Sequence, residues 1–147
     1  MIKQLGRDMY TETKKTLTHK AVMTMLAAAI EKAEAIKQPQ CIVIVDSSGE
    51  LLGEIRMNGA KFLSRKSARA KALTSASIGA PSIVIPEAVK PAIGAATEGC
   101  VTGLPGGLPI WVDGELVGGI GVGSGSGEQD IMVGTAALDS IGAEAHK

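Results

Sequence analysis

Three acidic side chains are candidates for general acid or base chemistry: Asp46, Glu128 and Asp130. A carboxylate held beside a reacting group can accept or donate a proton. Each also has a structural interpretation, because Asp46 precedes a predicted turn and the other two fall in the first turn of a predicted helix. Their spacing alone defines no catalytic constellation. The catalytic residues therefore stay unassigned, with these three as candidates.

His19 is the candidate for ligation, in the first turn of a predicted helix. No second His or Cys lies within metal-ligand spacing of it, so a closed zinc site is not expected and no metal site is assigned. Axial ligation of a haem needs only one imidazole. The alternative is a surface histidine with no ligand.

The glycines are concentrated in one region, because residues 99–130 hold more than half of the nineteen in the chain. No G-x-G-x-x-G stands in register and no Gly-Lys pair occurs, so a nucleotide-binding loop is excluded. Two interpretations remain. The alternating Gly119, Gly121 and Gly123 would let a helix or another subunit pack closely on a strand, or the backbone amides of residues 124–129 would bind an anion at a helix start.

Two further features could border a ligand. The loop Leu104, Pro105, Gly106 and Gly107 is a sharp turn that either only leads into an edge strand or forms a floor for a flat ligand. A predicted helix over residues 61–79 carries basic side chains that are either a solvated face or a patch for a carboxylate or propionate. These basic residues are Lys61, Arg65, Lys66 and Arg69.

The elements that position these residues follow from periodicity. Apolar residues at three- and four-residue steps predict a helix over 17–37, capped by Thr18. A hairpin is predicted over 41–57, and a second one around Asp113-Gly114. Three prolines exclude a long regular element over residues 80–99, so short helical turns or an irregular crossover are expected there. Ser126 and Gln129 form a capping box that opens a last helix. Two hairpins separated by helices predict an α+β fold with a central antiparallel sheet.

Length and composition limit the classes of function. A chain of 147 residues predicts one domain over 1–147, with an N-terminal extension over 1–16. Fifteen basic residues balance fifteen acidic ones and only three residues are aromatic, so nucleic acid is not an expected partner. No apolar run approaches the roughly 18 residues that span a membrane. The mixed charges of the first twenty residues, together with Cys41 and Cys100 in apolar settings typical of buried thiols, predict a cytoplasmic protein.

Four segments together resemble a known family: "LTHKAVMTMLAAAIEKAEAI", "VIVDSSGELLGEIRMNGA", "SARAKALTSAS" and "LPGGLPIWVDGELVGGIGVGSGSGEQD". They are similar to the GlcG/HbpS-like haem-binding family, which includes the C-terminal domain of PduO-type proteins. The resemblance covers residues 17–142. The chain departs from the family pattern at Asn58, where an acid is usual, and in "VGSGSG", where "VSGG" is usual.

This resemblance implies a profilin-like sheet flanked by helices, homo-oligomers from tetramer to octamer, and haem as the candidate cofactor. It places the small-residue helix over 64–77 and the loop 104–107 at the ligand site. The first hypothesis is thus an accessory protein of a catabolic pathway that binds a haem-like tetrapyrrole as its small-molecule ligand, with Arg65 or Arg69 offsetting its charge and His19 as a possible iron ligand.

Two other hypotheses stay open beside ligand binding. One is an enzyme that isomerises or hydrates a small catabolic intermediate with acid-base chemistry and no redox cofactor. The other is a structural module whose glycine-bearing strand packs between subunits.

Overall fold

The protein is a four-stranded antiparallel sheet with helices on both faces. The computed structural model describes residues 8–147, so the first seven residues of the predicted extension lie outside the described part. In chain order the elements are α1 (His19–Ala35), β1 (Cys41–Asp46), β2 (Leu51–Arg56), α2 (Ser64–Ile78), α3 (Lys90–Ala96), β3 (Gly107–Val112), β4 (Glu115–Gly123) and α4 (Gly127–Ser140). The strand order is β2-β1-β4-β3, which confirms the predicted α+β fold.

The predicted local signals determine where the elements begin and turn. Thr18 caps α1 by accepting a hydrogen bond from the Ala21 backbone N–H at 3.2 Å. Ser126 and Gln129 form both bonds of a capping box at α4. Asp113 and Gly114 have φ angles of 49° and 79°, as the tight turn of a two-residue hairpin requires. Between α2 and α3 the proline-rich segment forms only two short 3-10 turns, Ser82–Val84 and Glu87–Val89.

Each face of the sheet has its own core, because successive strand residues point to opposite sides. On one face α1 and α4 bury Val22, Met25 and Val133 against Ile42 and Ile44. On the other face α2 buries small side chains against the remaining residues of β1; this cluster contains Cys41, Val43, Val45, Ala60, Ala68, Ala72 and Ala76.

The glycines of β4 permit a close approach of α2. A Cβ atom added at Gly119 would overlap the carbonyl oxygen of Ala72, and one at Gly121 would overlap that of Ala68. The close-packing interpretation is therefore confirmed, and the packing partner is a helix of the same chain. Because α2 covers this strand, the glycines give no reason to expect a module that packs between subunits through them.

The position of Cys100 differs from the prediction that both thiols are buried. Cys41 is buried as predicted, but Cys100 is exposed. It follows a reversal of the chain after α3, where Glu98 and Gly99 both have positive φ, at 55° and 81°. The reversal leaves the thiol on the surface although its sequence neighbours are apolar.

Candidate functional site

A buried ion pair joins α2 to α4. Lys71 Nζ lies 3.0 Å from Asp130 Oδ2, and the two side chains are only 6% and 3% exposed. The same ammonium donates to the Val122 carbonyl at 2.7 Å. The other carboxylate oxygen, Oδ1, accepts the Gly125 backbone N–H at 3.1 Å. Asp130 is therefore held from two sides at the amino end of α4, where the helix dipole favours a negative charge.

Sequence reasoning named Asp130 but missed Lys71. The available signal was helical spacing, because Lys71 lies three residues after Ala68 and four before Ser75 in α2, and both of these are buried. A lysine at a buried helical position needs a partner of opposite charge. That partner is 59 residues away in sequence, so its identity required the tertiary structure.

The loop of residues 104–107 lies directly over this pair. Ser82 fixes the loop, since its Oγ donates to the Leu104 carbonyl at 2.5 Å and accepts the Gly107 N–H at 3.0 Å. Gly106 has a φ of +116°, and a Cβ there would lie 2.6 Å from the Val122 oxygen and 2.8 Å from Asp130 Cβ. No larger residue fits at this position without a shift of the backbone.

The loop exposes its first two residues and buries its two glycines. Leu104 is 52% exposed and Pro105 is half-buried, whereas Gly106 and Gly107 are buried. Leu104 and Pro105 therefore form the surface of the loop that a ligand could touch. Gly106 and Gly107 shape the loop from beneath.

A polar cavity of about 250 Å³ opens between this loop, α2 and the start of α4. Lys71 and Asp130 are its most buried lining groups, and Lys61 lies at its exposed edge. The remaining lining residues are Ser64, Ser67, Leu104, Pro105, Ser124, Gly125 and Gly127. The structure thus brings Leu104, Pro105 and Asp130 together, as members of one cavity.

The predicted basic residues of α2 line a second groove. Arg65 and Arg69 are exposed and border, together with Lys66 and Glu54, a groove of about 390 Å³. Phe62 and Leu63 complete it and are 64% and 61% exposed. This groove and the polar cavity flank α2 on its two sides and approach each other at residues 61–63. Exposed basic and apolar side chains therefore lie side by side at the amino end of this helix.

The other two acidic candidates, Asp46 and Glu128, lie elsewhere. Asp46 Oδ1 accepts the backbone N–H groups of Ser48 and Glu50 at 2.8 and 3.0 Å, so it stabilises the first hairpin turn. Glu128 is exposed and lines a separate cleft between α1 and α4. The structure therefore does not assemble Asp46, Glu128 and Asp130 into one acid-base group.

His19 is exposed at the start of α1, which packs on the sheet face opposite α2. Its neighbour Leu17 approaches Gly118, since a Cβ there would lie 3.3 Å from Leu17 Cδ1. The polar cavity lies near the other end of β4, where a Cβ at Gly123 would be 3.0 Å from Ser67 Oγ. The structure therefore does not bring His19 to the loop or to the arginines of the same chain.

Within residues 8–147, every helix falls short of the length and apolar character that a membrane crossing requires.

The comparisons with known proteins agree with the predicted resemblance. A family model described as "Haem degrading protein HbpS-like" matches residues 17–139. The corrinoid adenosyltransferase PduO of Citrobacter freundii is 31% identical over 139 residues, covering 90% of this chain but 41% of that protein. The chain thus spans about two-fifths of the length of this relative.

Two further proteins match over nearly their whole length. An uncharacterized 15.0 kDa protein of the dhaT-dhaS intergenic region of Citrobacter freundii is 32% identical over 131 residues, which is 84% of this chain and 91% of that one. The crystal structure of a PduOC:heme complex superposes with a TM-score of 0.84 at 28% identity, covering 90% of this chain and all of that chain. By its family match and by these relatives, the chain belongs to the HbpS-like family.

Proposed function

We propose that this protein is a homo-oligomeric accessory protein of a catabolic pathway that binds haem or a related flat, anionic tetrapyrrole. The binding surface is the amino end of α2 together with Leu104 and Pro105. One observation carries the proposal: exposed apolar side chains stand there directly beside exposed cationic ones. The crystallised PduOC:heme complex, whose fold this chain shares, supports the choice of ligand.

The residues present suit a tetrapyrrole in two respects. Phe62, Leu63 and Leu104 offer exposed apolar surface to the face of a macrocycle, and ligand sites are mostly apolar with a few placed polar groups. Arg65 and Arg69 offer positive charge to propionates, and arginine suits carboxylates through its planar fork of donors. The polar cavity, at about 250 Å³, is smaller than the roughly 300–1,000 Å³ of usual ligand sites. A macrocycle would therefore lie across the surface, with only its edge in the cavity.

If His19 is the iron ligand, it must come from a second copy of the chain. Within one chain this residue lies on the opposite sheet face from α2, so it could reach the same ligand only from a neighbouring subunit. When bound, haem would supply an iron centre for redox or ligand chemistry. The protein would contribute the apolar face, the cationic groups and, in an oligomer, the imidazole.

Exposed apolar residues on an edge strand support the homo-oligomer. β2 lies at one edge of the sheet, and Leu51, Leu52 and Ile55 are 45%, 38% and 37% exposed. An edge strand with apolar side chains is a surface that another chain can cover. A tetramer to octamer is the proposed range, and sedimentation velocity that gives only the mass of one chain would contradict it.

The exposed free thiol of Cys100 supports a reducing compartment, and we place the protein in the cytoplasm. Cell fractionation tests this placement. Recovery of the protein only outside the cytoplasmic fraction would contradict it.

Haemin titration tests the ligand. The expected result is a Soret shift that saturates at a fixed ratio of haemin to chain. Replacing both Arg65 and Arg69 by Gln should weaken binding about tenfold, because each exposed ion pair is worth up to about 1 kcal/mol. The matched control is Lys32→Gln with Lys147→Gln, because Lys32 lines the cleft between α1 and α4 and Lys147 is the exposed last residue, so neither lines the groove or the polar cavity. Absence of any saturable shift in the wild-type protein would refute the function, and equal weakening by both pairs would refute the site.

His19→Ala tests the ligation separately. Loss of the axial ligand should change the visible spectrum of the ferric complex, whereas Lys20→Ala in the same helical turn should not. An unchanged spectrum in His19→Ala would remove this residue from the site.

A further inference from the structure

One of the three N–H groups of the Lys71 ammonium has no acceptor among residues 8–147. An ammonium group carries three N–H donors. Among the described residues, Nζ donates to the Val122 carbonyl and to Asp130 Oδ2. The Lys71 side chain is only 6% exposed, yet it lines the polar cavity. A buried charged donor that faces a cavity is best satisfied by an acceptor placed in that cavity.

The charges around the cavity select the sign of this acceptor. Lys61 and Lys71 bring two positive charges to its lining, against the single negative charge of Asp130. The cavity also includes Gly125 and Gly127 at the amino end of α4, a 14-residue helix, where the dipole is positive. Glu128 does not offset this excess, because it lines the separate cleft between α1 and α4. The balance favours an anion.

The size and polarity of the cavity select a small anion. Its volume of about 250 Å³ suits a carboxylate group or a small organic acid. Ser64 and Ser67 add hydroxyl groups to the lining. Gly106 packs against the ammonium from the loop, since a Cβ there would lie 3.2 Å from Lys71 Nζ.

We propose that this cavity is a carboxylate-binding subsite, in which a ligand carboxylate accepts the third N–H of Lys71 and is further stabilised by Lys61 and the amino end of α4. The carboxylate could belong to a tetrapyrrole propionate, in which case the subsite rests on the proposed function, or to a free organic acid. The chemistry at Lys71 is the same for both.

Acetate is the first probe. Sodium acetate is titrated into the ¹⁵N-labelled full chain, with sodium chloride at equal ionic strength as the reference. The expected result is a saturable shift of the backbone amides of Gly106, Gly125 and Gly127 that chloride does not produce. Shifts that are absent, or that match those caused by chloride, would overturn the proposal.

Two sets of variants test the residues. Lys71→Met combined with Asp130→Leu removes the pair together, so that no charge is left buried alone, and should abolish the acetate shift. Lys61→Gln changes an exposed side chain and should weaken acetate binding about two- to fivefold. Lys66→Gln is its matched control, because it is exposed on the same helix but lines the other groove.

Two results would overturn the assignment. One is wild-type acetate binding in the folded double variant. The other is an equal effect of Lys61→Gln and Lys66→Gln on acetate binding. This second result tests the assignment even if the double variant does not fold.

Haemin and its dimethyl ester separate the two sources of the carboxylate. Competition between acetate and haemin, with at least tenfold weaker binding of the ester, assigns the subsite to a propionate. Acetate binding without competition assigns it to a free acid, and both outcomes support the subsite. Acetate binding in a protein that does not bind haemin would refute the proposed function and leave the subsite standing. Haemin binding without any acetate binding, and with equal affinity for the ester, would refute the subsite and leave the proposed function standing.

Discussion

Replacing Gly121 by Ala should destabilise the protein strongly, because α2 packs directly on this residue. The added Cβ would overlap the Ala68 carbonyl oxygen and would lie 2.6 Å from Ala72 N and 2.9 Å from Ala68 C. Ordinary contacts between such atoms are about 3.5–4.0 Å, and the overlap with the Ala68 oxygen is the most severe of the three, so the helix would have to move by more than about 1 Å. All three atoms belong to or adjoin the helix backbone, and a change of rotamer cannot relieve the overlap.

The expected cost is about 3 kcal/mol of unfolding free energy, at the upper end of the usual range for overpacking. Urea denaturation followed by circular dichroism measures it, at one chain concentration for all variants because assembly would change the apparent stability. Gly123→Ala should cost less, about 1 kcal/mol, since its Cβ would lie 3.0 Å from the Ser67 hydroxyl oxygen and 3.1 Å from the Ser64 carbonyl.

Gly94→Ala is the matched control. Gly94 lies in α3, and its Cβ would meet only the Val101 carbonyl oxygen at 3.7 Å, an ordinary contact. Alanine in a helix should therefore stabilise the protein by about 0.5–1 kcal/mol. A Gly121→Ala variant with an unchanged urea midpoint, or one no less stable than Gly94→Ala, would refute the close packing of α2 on β4.

Three further predictions concern other residues. In the native protein a thiol reagent should modify the exposed Cys100 quickly and Cys41 only after denaturation, because burial raises the pKa of the Cys41 thiol despite the opposing effect of Arg56 and Arg65; rapid modification of both thiols would contradict this. Ser126→Ala should lower the unfolding free energy by about 1 kcal/mol, since it removes the capping bond to the Gln129 N–H, and an unchanged urea midpoint would count against the cap. Ser75→Ala should raise that free energy by about 1 kcal/mol or leave it unchanged, because the buried Ser75 hydroxyl has no hydrogen-bond partner among residues 8–147. A clear loss of stability there would show that the hydroxyl is satisfied.

Local chemistry made much of the fold predictable. The Asp113-Gly114 turn, the Thr18 cap and the Ser126-Gln129 box depend on residues within a few positions of one another, and all three are present in the structure. Such signals place the ends of elements, and hydrophobic periodicity then identifies the element between them. The order of helices and hairpins was therefore available from the sequence.

The candidate site was less predictable because it is built from distant segments. The pairing of Lys71 with Asp130 depends on how α2 lies across β4, and no local pattern encodes that crossing. The glycines of β4 indicated that something packs on the strand but not that it is α2. Cys100 was wrongly predicted as buried, because the apolar character of its neighbours says nothing about the direction of the chain after α3.

The glycines and the ion pair form one arrangement. A helix held at ordinary distance from β4 would carry Lys71 away from the strand by the same distance that an alanine requires, more than about 1 Å. Its bond to the Val122 carbonyl, now 2.7 Å, would then be longer than a strong charged hydrogen bond. The buried ammonium would lose an acceptor that it needs. The close approach at Gly121 therefore positions the Lys71 ammonium at the cavity, and Gly121→Ala should weaken acetate binding along with the fold.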